Sequence, residues 1–280
     1  MLDVTLLSVL QGIAEFLPVS SSGHLVLGKQ LLGMSEVGIR LDIFLHVGTL
    51  AAVFAFYFAI IRRILLRREW SYLAKVVLSA VPAGLVGVLF KDELEGFFAS
   101  PSRVGAALVF TGVVLTLTRF LPRGGREVGF GSALWMGVAQ AIAIIPGVSR
   151  SGMTLVAARA AKVEAEKSAE FSFLMSAPPI AGAALLEVLK SLKGGETTVE
   201  ASWGLCVYGA LVAAVVGYFS LKLLLKSLKS DRFWLFGPYC LLVGVLTVGW
   251  ARPAASDAAA AGVVTSPASV ETSSVVNRIP

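Results

Sequence analysis

The chain has 280 residues, 56% of them hydrophobic and 15% charged, with a mean hydropathy of +0.80. Soluble domains run about 45–50% apolar and about 25% charged, so this composition excludes a water-covered globule, a disordered chain and a collagen-like repeat. The formal charge of +6 comes with no basic, aromatic-interleaved patch, which argues against a nucleic-acid partner. Two cysteines, Cys206 and Cys240, both in apolar stretches, make no disulfide framework.

The chain starts Met1-Leu2-Asp3, with no basic residues ahead of the apolar run, and so does not read as a secretory signal. Residues 2–35 are apolar but interrupted by Pro18 and a run of serines, which breaks the helical ladder. Three uninterrupted spans follow, at 42–61, 74–90 and 103–119. A second interrupted region, 129–160, is broken at Pro146-Gly147. Three more spans lie at 169–189, 203–221 and 233–250. Each approaches the ~20 apolar residues that cross a ~30 Å hydrocarbon layer. From Arg252 onward, Ala, Ser, Val, Thr and Pro dominate, which predicts one membrane domain over 1–250 and a flexible tail over 251–280.

Loop charge orients the spans. Segments 62–75, 119–127 and 222–232 together carry twelve Lys and Arg against three acidic residues, whereas 91–100 and 190–200 show no such excess. The positive-inside rule places the first three in the cytoplasm and the other two outside. For the spans to connect, 2–35 must dip in and return from outside, and 129–160 must do the same from the cytoplasm. Irregular backbone at that depth survives only when protein or a water-filled cavity surrounds it.

The chain also repeats itself at a shift of 129 residues. Gln11-Gly12-Ile13-Ala14 matches Gln140-Ala141-Ile142-Ala143, and Val19-Ser20-Ser21-Ser22-Gly23 matches Val148-Ser149-Arg150-Ser151-Gly152. Seven of the fourteen positions from 11 to 24 are identical to their counterparts. The same shift superposes the spans of the two halves, about 1–121 and 130–250. The predicted fold is therefore an all-α polytopic membrane protein: six transmembrane helices and two re-entrant helical hairpins in an inverted repeat. Such folds place a site near the midplane, where broken helices meet.

The polar residues of the hairpins are the candidates for chemistry. Gln11 and Glu15 are four apart and share a helix face; a carboxylate with an amide oxygen suits a hard divalent cation. After Pro18, the segment Ser20-Ser21-Ser22-Gly23 opens a half-helix whose N–H groups suit an anion. Ser21 and His24, three apart, can face one cavity as nucleophile and base; alternatively Glu15 and His24 satisfy each other in a packed hairpin. In the second hairpin, Arg150 stands at the position of Ser21, flanked by Ser149, Ser151, Gly152 and Thr154. A guanidinium there reads as a phosphate clamp, or as the buried ion-pair partner of Glu15. His46 lies inside a span and reads as a hydrogen-bonded core residue.

At these residues the chain resembles the undecaprenyl pyrophosphate phosphatase family, the bacitracin-resistance proteins, with their (E/Q)xxxE-FLPVSS-(T/S)-GH and PGxSRSG-x-T segments. Here they stand as Gln11 to His24 and Pro146 to Thr154, and the likeness runs to about residue 250, including Glu170-Phe171-Ser172-Phe173-Leu174. The resemblance implies an enzyme of the bacterial plasma membrane with its site on the extracytoplasmic side. It would remove the terminal phosphate of the C55 isoprenyl diphosphate, recycling the monophosphate carrier for peptidoglycan synthesis, and would use Mg²⁺ or Ca²⁺. It implies catalytic roles for Glu15, Ser21, His24 and Arg150 and metal binding at Gln11 and Glu15. Substrate binding falls to Ser20, Ser22, Gly23, Ser149, Arg150, Ser151, Gly152 and Thr154. Gln11 stands where some members have Glu, one charge fewer, so its role there is to ligate the metal or to orient a water. The expected partners are the prenyl diphosphate, membrane lipids and a second copy in a homodimer. A transporter or flippase of an anionic prenyl-phosphate lipid is the alternative; it needs an anion site but no nucleophile.

Overall fold

The computed structural model describes residues 1–34, 39–90, 93, 96–97, 100–192 and 201–251. Most of the 91–100 and 190–200 loops, and the tail from 252, lie outside them. The described chain is helical throughout, with one isolated bridge between Arg126 and Val163.

The first interrupted region forms α1 (Leu2–Ala14) and α2 (Ser21–Leu31), and the second forms α7 (Phe130–Ile142) and α8 (Arg150–Ala160). At 1.5 Å per residue, none of these reaches ~30 Å. Pro18 lies in the first turn. Ser20 then enters α2 with φ +70, and its Oγ accepts the Gly23 N–H at 3.3 Å. Ser149 caps α8 in the same way, accepting from Gly152 N–H at 3.1 Å.

Between and after them run α3 (Ile39–Phe56), α4 (Phe58–Leu66), α5 (Trp70–Leu89) and α6 (Pro101–Leu117). The second half continues with α9 (Ala165–Met175), α10 (Ala177–Leu192), α11 (Trp203–Lys229) and α12 (Phe236–Trp250). Among the described residues, five stretches are long and apolar enough to cross a membrane: Trp70–Leu89, Pro101–Phe120, Ala165–Leu186, Trp203–Lys229 and Phe233–Trp250. The bent pair α3–α4 makes a sixth if counted as one span.

That bend corrects the expectation of a straight helix over 42–61: the two pieces meet at 71°. Tyr57, at the corner, is buried against Phe56, whose ring also meets Tyr218 edge-on. Past the corner, Ile60, Ile61 and Ile64 pack on the core while Arg62, Arg63, Arg67 and Arg68 are exposed. A short helix with an apolar face and a basic face fits a membrane surface better than its depth. A second difference lies at 222–232, read as a loop but helical to Lys229. Leu221 and Leu224 continue the buried stripe of α11, and Lys222 folds back over the Tyr218 ring at 4.8 Å.

Neighbouring helices approach through small residues. α6 runs along α12, where a Cβ on Gly112 would sit 2.7 Å from the Leu241 nitrogen and 2.8 Å from the Gly237 carbonyl oxygen. Without a hydrophobic drive between helices in lipid, such backbone closeness supplies the packing. α1 lies on α11, and α7 lies on α5. The largest core cluster centres on Phe16 and Phe173, one from each half, edge-on at 5.3 Å. The outer faces are apolar, as in Val77, Val81 and Leu85 of α5 and Leu242, Val245 and Leu246 of α12, which is how helices facing lipid tails read. The chain is a multi-pass membrane protein.

Candidate active site

The last turn of α1 presents Gln11 and Glu15 one above the other, and the two short helices converge on Glu15 from either side. Ser21, the first residue of α2, donates its hydroxyl to Glu15 Oε2 at 2.6 Å. Arg150, the first residue of α8, forms an ion pair through Nη2 with Glu15 Oε1. Positions 21 and 150 are equivalent under the 129-residue shift, so the two halves bring matching helix starts to opposite oxygens of one carboxylate. Arg150 also donates from Nη1 to the Ser172 carbonyl at 3.5 Å and stands 5.7 Å over the Phe173 ring. Gln11, fully buried, donates Nε2 to Glu15 Oε2 at 3.2 Å. The ion pair between Arg150 and Glu15, one of the two readings of the sequence, is present; Glu15 and His24 do not meet.

Glu15, Ser21, Ser22 and Arg150 line an open cavity of about 560 Å³. His46 lines it too, with Nε2 3.6 Å from Glu15 Oε2. Its Nδ1 donates to the Asp42 carbonyl at 2.7 Å, which holds the ring and turns Nε2 toward the cavity. The core reading of His46 thus captured its backbone bond and missed its outlook. The signal available was its place: an ionisable side chain inside an apolar span usually marks function.

His24 takes a different course from the one expected. No hydrogen bond joins it to Ser21. Its Nδ1 donates to the Ser20 carbonyl at 2.9 Å, leaving Nε2 to accept from the Tyr239 hydroxyl at 2.8 Å. The helical spacing of three is met, but the Ser20 carbonyl and α12 pull the imidazole away, while the left-handed Ser20 aims Ser21 at α1. The base nearest Ser21 is Glu15.

Several residues read as substrate contacts also hold the frame. Gly23 packs on the second hairpin, where a Cβ would lie 3.1 Å from the Gly147 Cα, and Gly147 itself needs φ +96. Ser151 donates to the Leu17 carbonyl at 3.3 Å, tying the hairpins together. Thr154 is buried and shares a 2.6 Å hydrogen bond with Ser172. The Ser20 and Ser149 hydroxyls cap their helices, the latter accepting the Gly152 N–H. Thr111, mid-span and without any sequence signal, pins the second turn: it donates to the Gly147 carbonyl at 3.0 Å and accepts from Ser149 N–H at 3.1 Å.

For a divalent cation the donor set is thin. Among the described residues no three His, Cys, Asp or Glu side chains cluster. Glu15 offers one carboxylate beside one hydroxyl, and Gln11 turns its amide nitrogen, not its oxygen, toward that carboxylate. This fits Mg²⁺, which keeps waters and completes its shell with phosphate oxygens. It does not fit an all-protein Ca²⁺ cage of roughly six to eight oxygens.

Beside the cavity, sharing Ser22, His46, Ile144, Pro179 and Ile180, runs a mainly apolar groove of about 420 Å³ between α2, α3 and α10. A largely apolar cavity holding Glu15, Ser21, His46 and Arg150, opening into an apolar groove, is a shape for an amphiphile. Comparison with known proteins agrees. A family model described as bacitracin resistance protein BacA matches residues 4–246. The chain belongs to the BacA family. Undecaprenyl-diphosphatase of Desulforapulum autotrophicum is 39% identical over 266 residues, covering 86% of this chain and 95% of that one. Undecaprenyl-diphosphatase of Halothermothrix orenii is 39% identical over 250 residues, covering 88% and 96%. The one from Rhodopirellula baltica is 37% identical over 254 residues, covering 89% and 97%. Apart from the first two residues of α1, both short-helix pairs lie inside the BacA-family match, as does the whole cavity.

Proposed function

We infer that the chain is an undecaprenyl-diphosphatase, hydrolysing the C55 isoprenyl diphosphate to the monophosphate carrier. One observation carries the reading: Ser21 and Arg150, each opening a short helix, meet on the two oxygens of Glu15 at a cavity that continues into an apolar groove. Leu25, Val26, Ile43 and Ile180 along the groove suit the first isoprene units, and the cavity suits the diphosphate.

Arg150 moves from Glu15 to the incoming diphosphate, where a guanidinium binds phosphate oxygens as a fork. That exchange frees the carboxylate to act as base. The Ser21 oxygen attacks the terminal phosphorus in line, its proton passes to Glu15, and the bond from that phosphorus to the bridging oxygen breaks, releasing the prenyl monophosphate. Water then cleaves the phosphoserine, and the proton returns to Ser21. His46 faces this exchange through Nε2 and assists the water. A Mg²⁺ ion, when bound, neutralises charge on the transferring phosphoryl group; Glu15 and Ser21 would hold it, with Gln11 steadying the carboxylate. The N-terminal turns of α2 and α8 add positive dipole ends facing the anion.

For the setting, we read the two short-helix pairs as re-entrant hairpins of an inverted repeat, in a bacterial plasma membrane with the cavity facing outward. The basic 62–75, 119–127 and 222–232 segments support that orientation.

The test is phosphate release from a prenyl diphosphate by the purified full-length protein, with and without Mg²⁺, for wild type and Ser21→Ala. Release by wild type, loss in the variant and radiolabelled phosphate trapped on Ser21 support the reading. Binding without release under any divalent ion leaves a lipid carrier instead.

A further inference from the structure

Gln140 stands in the wall of the cavity that holds Glu15, Ser21 and Arg150. It is 4% exposed, and neither its Nε2 nor its Oε1 has a hydrogen-bond partner. The other polar side chains of this wall are all engaged: Ser21 and Arg150 each with Glu15, His46 with the Asp42 carbonyl, Ser22 with Ser20, and Ser176 with the Phe173 carbonyl. A buried amide with both ends unpaired is costly, and in a native fold it calls for an explanation.

The repeat sharpens the anomaly. Gln140 is the counterpart of Gln11, whose amide is anchored to Glu15; but the counterpart of Glu15 is Ile144. The second half keeps the amide and lacks the carboxylate that would have engaged it. A local role in holding the second hairpin is therefore missing, while the amide borders a chamber read as a diphosphate site.

We propose that Gln140 is a substrate-binding residue whose amide N–H₂ donates to a non-bridging oxygen of the diphosphate held by Arg150. The proposal rests on the diphosphatase reading and adds to it a donor that neither the motifs nor the helix starts supply. Arg150 contributes charge; the neutral amide contributes direction, fixing the phosphoryl group against the wall opposite the first hairpin. A hydrogen bond to an anion is stronger than one between neutral groups. A turn about the side-chain torsions uncovers the amide as the diphosphate enters.

The experiment compares wild type with Gln140→Met, a chain of similar volume without a donor. Equilibrium binding of farnesyl methylenediphosphonate, which cannot be cleaved between its phosphorus atoms, is measured on the full-length protein in detergent, with farnesol as the probe lacking phosphate and with Tm alongside. The expected result is analogue binding weaker by roughly tenfold or more, farnesol binding unchanged, and Tm equal or higher because the unpaired amide is gone. Analogue affinity within about twofold of wild type overturns the proposal. So does a lower Tm with farnesol binding reduced in step, which marks a packing role. Where Gln140→Met does not fold, Gln140→Leu, also without a donor and uncharged, is read by the same outcomes. A wild type that binds the analogue but releases no phosphate from prenyl diphosphate counts against the diphosphatase reading, while an unchanged variant beside an active wild type counts against Gln140 alone.

Discussion

Glu15 accepts from Ser21, Gln11 and Arg150 at once, so one carboxylate organises the site and its removal should be felt in the chemistry. Glu15→Gln keeps the shape and loses both the base and the charge partner of Arg150. Its kcat for phosphate release should fall on the order of 100-fold or more, the usual scale for a lost acid–base group, measured in the purified protein under saturating substrate. His24 should behave otherwise. Tyr239→Phe removes the hydroxyl bound to its Nε2 and should cost about 1 kcal/mol of stability by thermal unfolding in detergent, with kcat within a few-fold of wild type. A large fall in kcat there would return His24 to the catalytic step. At this scale the sequence already named Glu15, Ser21 and Arg150, because charged and hydroxyl groups are scarce in an apolar chain. It paired Ser21 with His24, whereas the Ser21 hydroxyl donates to Glu15. A spacing of three allows a contact, whereas the Ser20 carbonyl and the Tyr239 hydroxyl decide where the imidazole goes.

Among the elements, the pairing of short helices with capped starts was readable from Pro18, Pro146-Gly147 and the serines that follow each. The corner at Tyr57 was not: no proline or glycine marks it, and it comes from burying an aromatic ring between α3 and α11 while four arginines stay exposed. The turn between α11 and α12 carries its own testable electrostatics. Asp231, at φ +58, accepts from Arg159 at 2.5 Å, and Arg159 also donates to the Leu121 carbonyl at 2.7 Å. The Arg159 hydrogen bond, with the charges of Arg159 and Arg123, holds the Asp231 carboxyl below its ordinary value against the opposing effect of partial burial. A depressed acid stabilises the fold above its unfolded value, near pH 4, and that contribution is lost as pH falls through the lower folded value. Asp231→Asn should therefore lower Tm at pH 7, and the gap from wild type should close as the pH drops below about 4. A gap that persists at acid pH would assign the effect to the turn's shape instead.

For the whole molecule, topology is the measurable quantity. Cys206 and Cys240 are buried, so single exposed cysteines can report against a quiet background. A cysteine at Ser22, on the cavity wall, should react with a membrane-impermeant maleimide added outside cells; one at Arg67 should react only after the membrane is opened. The reverse pattern would invert the assigned orientation. By itself, the sequence determined that the chain lives in a membrane and that two regions are broken helices, because these follow from composition and helix-breaking residues. It also carried the family resemblance, in two motifs. What only the tertiary structure decided is who faces whom. The apposition of Ser21 and Arg150 on one carboxylate, the outlook of His46, the retreat of His24 and the unpaired amide of Gln140 all depend on contacts between residues tens to hundreds of positions apart. Periodicity along a chain carries no information about such contacts until the helices pack.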